Sequence, residues 1–206
     1  IDQRFGIIGF DACLMSMFEV VYQLKDLCDI VIGSQEIEPN IGWPYQKILS
    51  SLTNSSEMAT SEIAESIINN YKISMENFRE RTTLSVLSTE RAENVARIID
   101  ALSIRLIDLM NGSDFFEFGV TKVMRFQLQR FRDQDYIDLY HFARVCKLLL
   151  EDSEVQRLTE ELMNEVTKLV DLKCNTGSGL ENANGLSILF PGQPLKDDVL
   201  KEYQQL

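Results

Sequence analysis

One thiol stands two residues after an acid in the stretch Ile7-Ile8-Gly9-Phe10-Asp11-Ala12-Cys13-Leu14-Met15-Ser16-Met17-Phe18-Glu19. The apolar run before it reads as a buried strand and the run after it as an amphipathic helix. Cys13 is therefore expected at the carboxyl end of a strand and in the first turn of a helix, where open α/β sheets gather their chemistry. A helix N-terminus offers unpaired N–H groups and partial positive charge, both of which favour a thiolate over a thiol. This makes Cys13 a candidate nucleophile. Against it, cysteine is among the most often buried residue types, and at such a junction it is more often a packing residue. Spacing alone leaves both readings standing.

The elements that would position this thiol can be followed along the chain. Leu14, Met17, Phe18, Val21 and Leu24 form one stripe, with Cys28 in line, and predict a helix over about 14–27. Residues 29–34 form a β-branched run bounded by polar and glycine residues, which predicts a short buried strand. The loop 35–45 carries the only tryptophan and two of the four prolines. It reads either as a pocket wall, with Trp43 and Tyr45 giving rigid apolar area and Glu36 or Glu38 a charge, or as a rigid surface turn over an edge of the core. Helical spacing returns over about 60–80, a strand over 83–88, and a long helix over about 90–110. Alternating strands and helices predict a parallel sheet covered by helices.

Residues 111–171 read as mostly helical, and Ala183 to Pro191 as a turn feeding a strand. A final helix is expected around Lys196 to Tyr203. No linker divides the chain, so one domain is expected: a strand/helix core over 1–110, a helical addition over 111–175, and a last strand and helix over 176–206. The only histidine, His141, falls inside an apparent helix and reads as solvated or capped.

The 206 residues are 45% hydrophobic and 25% charged, enough for a real core. Lysine and arginine number 20 against 32 aspartates and glutamates, so the net charge of −12 disfavours a nucleic-acid partner and allows a basic one. No apolar run is long enough to span a bilayer. Four cysteines without C-x-x-C or Cys/His spacing give no metal site. Cys28 and Cys146 read as core.

Several separated stretches together resemble one family. Gly9-Phe10-Asp11-Ala12-Cys13-Leu14-Met15 with Glu19 is similar to the nucleophile motif of clostripain-like cysteine peptidases, of the caspase and gingipain clan. Gly33-Ser34-Gln35-Glu36, Glu38-Pro39, Gly42-Trp43-x-Tyr45, Tyr136-x-Asp138-Leu139 and Asn184-Gly185-Leu186-Ser187-Ile188 followed by Phe190-Pro191 resemble it in the same order. The resemblance implies a caspase-like three-layer α/β/α sandwich with a mostly parallel sheet, incomplete at its N-terminus.

It also implies a cysteine endopeptidase in which Cys13 attacks the peptide carbonyl and its own N–H contributes to an oxyanion hole. Asp11 matches the acid that lets the S1 pocket accept arginine or lysine. A second S1 acid is expected near Asn40 and Ile41, neither of which is acidic, leaving Glu36 or Glu38 to compensate, with Trp43 beside them. The family's base is a histidine in an upstream His-Gly motif, and none occurs here. The implied partners are therefore a basic peptide or protein substrate and an upstream light-chain-like segment carrying that histidine. Some members depend on calcium, but with no Asp-rich loop of EF-hand type no cofactor is assigned. The resemblance allows a secreted or cell-envelope location. The alternative is a noncatalytic α/β binding module or pseudopeptidase in which Cys13 only packs.

Overall fold

The computed structural model describes residues 3–53, 58–111 and 121–192. Strands β1 (Phe5–Gly9), β2 (Cys28–Gly33), β3 (Thr82–Ser88) and β5 (Val170–Thr176) make a four-stranded sheet in the order β1-β2-β3-β5. β4 (Tyr136–Asp138) and β6 (Ser187–Leu189) form a separate antiparallel pair. The helices are α1 (Phe18–Leu24), α2 (Tyr45–Thr53), α3 (Thr60–Phe78), α4 (Ala92–Asn111), α5 (Thr121–Gln127), α6 (Leu139–Leu149) and α7 (Ser153–Leu169), with a single 3-10 turn at Thr89–Arg91.

Side chains alternate across the sheet and so reach two cores. Ile30 and Ile32 of β2, with Leu84 and Val86 of β3, pack against Ile67, Ile68, Tyr71 and Met75 of α3. Val31 and Leu87 point the other way, into a larger core with Val21 of α1, Val95, Ile98 and Leu102 of α4, and Leu158, Leu162 and Val166 of α7. Helices thus cover both faces of an α/β/α sandwich. Each fully buried aliphatic side chain contributes on the order of 1.5–3 kcal/mol.

Four sequence expectations need correction. β1 and β2 are parallel, but β3 runs antiparallel to both its neighbours, so the sheet is mixed. The cause lies in α3: it starts beside Gly6 in β1 and ends at Arg79, whose left-handed φ of 57° turns the chain straight into β3 at the end of the sheet where β2 finishes. β3 can only run back. β5 takes the place of the end of the expected helical addition; it follows α7 with no glycine or proline between them, and its burial does not alternate cleanly. The first helix begins at Phe18, not Leu14, and Cys28 opens β2 instead of continuing that helix, although it is buried as expected. Finally, the loop 35–45 ends in a helix, α2, that the sequence reading did not foresee. The expected helix at Lys196 to Tyr203 lies outside the described residues.

Candidate active site

The loops that leave β1 and β2 are zipped together beyond the end of the sheet. The Phe10 N–H donates to the Ile32 carbonyl at 2.8 Å, Ser16 N–H to the Ser34 carbonyl at 3.0 Å, and Leu14 N–H to the Glu36 carbonyl at 3.2 Å. A Cβ on Gly33 would stand 2.9 Å from the Met15 carbonyl carbon, so this close approach needs glycine. Leu14 itself is held at φ 60°, a left-handed conformation that costs a non-glycine residue about 1–2 kcal/mol. Strain of this kind gathers where surrounding contacts fix a functional turn.

Cys13 stands on the crest of that turn. It is the one exposed cysteine; Cys28, Cys146 and Cys174 are buried. It lies between β1 and α1, four residues past the strand and five before the helix, so no helix N-terminus supports it. A different donor takes that place: the Glu38 N–H points at the Cys13 sulfur at 3.2 Å.

Asp11, on the same turn, is exposed. Its Oδ2 accepts from the Trp43 N–H at 3.1 Å and from the Tyr45 hydroxyl at 3.0 Å. Burial, and then the hydrogen bond to Asp11, push the Tyr45 hydroxyl above its ordinary pKa, which keeps its proton on the donor side. Gly42 has φ 63°, and a Cβ there would come 2.8 Å from Asp11 Oδ2. Trp43 is buried beneath the site, its ring tip against Gly9 and its face stacked on Tyr45 at 6.4 Å. The exposed aromatic of this loop is Tyr45, not Trp43.

The two glutamates differ. Glu36 is completely buried, and all its acceptor capacity points inward: Oε1 accepts from the Ile37 N–H at 2.9 Å and the Arg132 N–H at 3.0 Å, and Oε2 pairs with Arg81. It presents no charge to a ligand. Glu38 is half-buried, and neither carboxyl oxygen has a hydrogen-bond partner among the described residues. Burial pushes its pKa up to about 7. The Tyr71 hydroxyl and the Trp43 indole N–H, near it but outside hydrogen-bonding geometry, pull the other way, and the negative charge of Asp11 adds to the rise.

His141 makes its hydrogen bonds with other groups. It is buried in the first turn of α6, its N–H donates to Asp138 at 2.7 Å, and its Nδ1 accepts from the Gln129 N–H at 2.9 Å. Burial and then the charge of Arg144 lower its pKa, so the ring is neutral and committed. An apolar cavity of about 340 Å³ between α4, α5, α6 and β6 holds no titratable group and lies apart from the thiol. Among the described residues no cluster of His, Cys, Asp and Glu could hold a metal ion, and no helix is long and apolar enough to cross a membrane.

Cys13, Asp11, the Glu38 amide and the Trp43 loop therefore meet at this end of the sheet. Arg81 and Thr83, which shape the same loops, carry no local signal; they meet the site only through long-range contacts.

An α/β/α sandwich with its one exposed thiol on loops at the sheet's end defines a class of proteins that act from the rim of the sheet. The sequence profile of the clostripain family matches residues 1–192, and the chain belongs to that family. Clostripain from Hathewaya histolytica is 24% identical over 226 aligned positions, which cover 92% of this chain and 43% of that protein. The chain thus spans less than half of that relative's length.

Among solved structures, a clostripain from Bacteroides thetaiotaomicron ATCC 29148 in complex with a peptide inhibitor superposes with a TM-score of 0.69 at 20% identity, covering 90% of this chain and 78% of that one. An inactive zymogen of a C11 protease from Parabacteroides distasonis gives 0.68 at 21% identity, over 100% and 57% of the two chains. These likenesses carry the caspase-like fold.

Proposed function

We propose that this chain is the nucleophile-bearing part of a cysteine endopeptidase that cleaves peptide bonds after arginine or lysine. The observation that carries the proposal is the exposure of Cys13 alone among the cysteines, on a strained turn beside the Asp11 carboxylate, in a chain of the clostripain family. The Cys13 thiolate adds to the peptide carbonyl; the tetrahedral intermediate collapses with release of the amine, and water then hydrolyses the thioester. The amine leaves with a proton from a general acid, and the water gives a proton to the same group acting as base. His141 cannot serve, with Nδ1 occupied. The base is a histidine of an upstream segment, and the outer edge of β1, which has no strand partner among the described residues, offers that segment a place to join the sheet.

Asp11 suits a cationic P1 side chain. Its Oδ2 already accepts two donors, which leaves Oδ1 for the ligand. Glu38 adds negative charge from below once it ionises, and this substitutes for the acid missing at Asn40 and Ile41. The peptide inhibitor bound by the Bacteroides relative supports a peptide substrate.

The test is selective alkylation together with turnover. In the parent protein, with its upstream residues in place, iodoacetamide should modify Cys13 far ahead of the three buried cysteines, and modification should abolish cleavage of peptides with Arg or Lys at P1. Slow labelling of Cys13 and no turnover would instead establish a pseudopeptidase or a binding module.

A further inference from the structure

We infer that Glu36 and Arg81 form a clamp that positions the nucleophile, acting through the backbone of the 34–38 loop. This rests on Cys13 being the nucleophile and extends that reading to residues that touch neither substrate nor thiol.

Besides the Ser16–Ser34 bond, two contacts from the 34–38 loop flank the thiol itself. The Glu36 carbonyl accepts the N–H of Leu14, the strained residue next to the thiol, and the Glu38 N–H donates to the sulfur. The Glu36 side chain branches from the residue that makes the first of these contacts and fastens the loop there. Its carboxylate joins Arg81, at the entry to β3, to the backbone of Arg132, in the segment between α5 and β4. Arg81 extends the join, its Nε donating to the Ser178 carbonyl at 3.0 Å in the turn after β5. That turn fits closely: a Cβ on Gly177 would stand 2.8 Å from the Arg81 Cβ. One buried carboxylate thus ties together three segments that are remote in sequence.

Thr83 secures the same loop from the side, its hydroxyl accepting from the Gln35 N–H at 2.8 Å. A charge-assisted, bidentate-capable donor such as arginine holds geometry better than a neutral contact would. The consequence falls on sulfur: an N–H held on a thiol stabilises negative charge there, and an N–H allowed to drift does not. Glu36 and Arg81 are positioning residues, not catalytic ones.

The experiment is the pH profile of Cys13 alkylation in the parent protein, with the three buried cysteines as an internal gauge of folding. In both Arg81→Ala and Glu36→Gln, the rate at neutral pH should fall by about three- to tenfold relative to the alkaline plateau, the size expected for loss of one hydrogen bond of ordinary net strength. The double variant should be no worse than either single one, because both lesions release the same loop. Arg81→Lys, which keeps the charge but not the fork, should lose part of the effect and serves as the mildest lesion if the others expose the buried cysteines.

A purely long-range electrostatic influence makes a different prediction: removing Arg81 would again disfavour the thiolate, but removing Glu36 would favour it. Changes of opposite sign, or unchanged profiles with the buried cysteines still protected, overturn the clamp. Failure of wild-type Cys13 to label ahead of the buried cysteines overturns the assignment of the nucleophile instead, so the two failures can be told apart.

Discussion

Two polar regions lie close together in this molecule and are built on opposite plans. At the rim, Cys13 and Asp11 are exposed and keep capacity in reserve: the sulfur faces one amide, and the aspartate commits one oxygen. Below the rim, Asp138 is fully buried and saturated. It accepts from Gln35 Nε2 at 3.0 Å, from the Asn184 N–H and side-chain amide, and from the His141 N–H. Burial raises its pKa and those four bonds oppose the rise. Gln35 then passes the connection on, its Oε1 accepting from the Gly185 N–H at 2.8 Å and its own N–H donating to Thr83. The contrast teaches how to tell chemistry from scaffolding in one cluster of polar groups. Groups that act leave valences open to a ligand, and groups that hold have spent theirs.

The largest effects should separate the two regions by kind. Cys13→Ala should lower peptide turnover by at least about 10³-fold while moving the denaturation midpoint little, because an exposed side chain is removed. Asp138→Ala should do the reverse. It strands four donors in the interior and should cost about 3–5 kcal/mol of stability, read by urea titration, with Cys13 alkylation unchanged in the fraction that stays folded. A stable Asp138→Ala protein with a slow thiol would break the distinction, since Asp138 would then belong to the chemistry.

Asp11→Ala comes next in size. It should reduce kcat/KM for substrates with Arg or Lys at P1 by about 10²-fold, the loss of one charge-assisted contact, and leave iodoacetamide labelling of Cys13 intact. Equal loss of both would mean that Asp11 shapes the turn through Trp43 and Tyr45 and does not read the substrate.

Much of this could be read in the chain before any coordinates. Apolar and β-branched runs mark β1, β2 and β3, and helical spacing marks α3 and α4, since each buries one or both faces in a core. The rim was legible because Asp11 and Cys13 are neighbours in sequence and the Trp43 loop follows the next strand directly. What could not be read depends on distant partners. Glu36 looked like a pocket acid; its burial is decided by Arg81, 45 residues away, and the Arg132 amide, 96 residues away. Leu14 and Met15 fit a helical stripe, yet the backbone bonds to Ser34 and Glu36 draw that segment alongside the next loop and delay α1 to Phe18. β5 is hard to read because it is an edge strand with Leu172 exposed and continues α7 without a glycine or proline between them.

Glu38 sits between the two plans, half-buried and with neither carboxyl oxygen hydrogen-bonded among the described residues, and its effects should be the smallest and the most dependent on pH. Its pKa of about 7 in the folded chain exceeds the ordinary glutamate value of 4.5. Between those two pH values the folded state holds a proton that the unfolded state has lost, so stability must fall as pH rises through the window and level off above it. Glu38→Gln has no proton to lose. Its denaturation midpoint should exceed that of wild type by an amount that grows from pH 4.5 to about 7 and then stays constant. Turnover should show the other face of the same ionisation. Wild type should gain preference for Lys or Arg over a neutral P1 residue as pH passes about 7, through the added negative charge near Asp11, and Glu38→Gln should not. If the midpoint difference appears without the change in preference, Glu38 is scaffolding that carries a charge at a stability cost, and Asp11 alone reads the substrate.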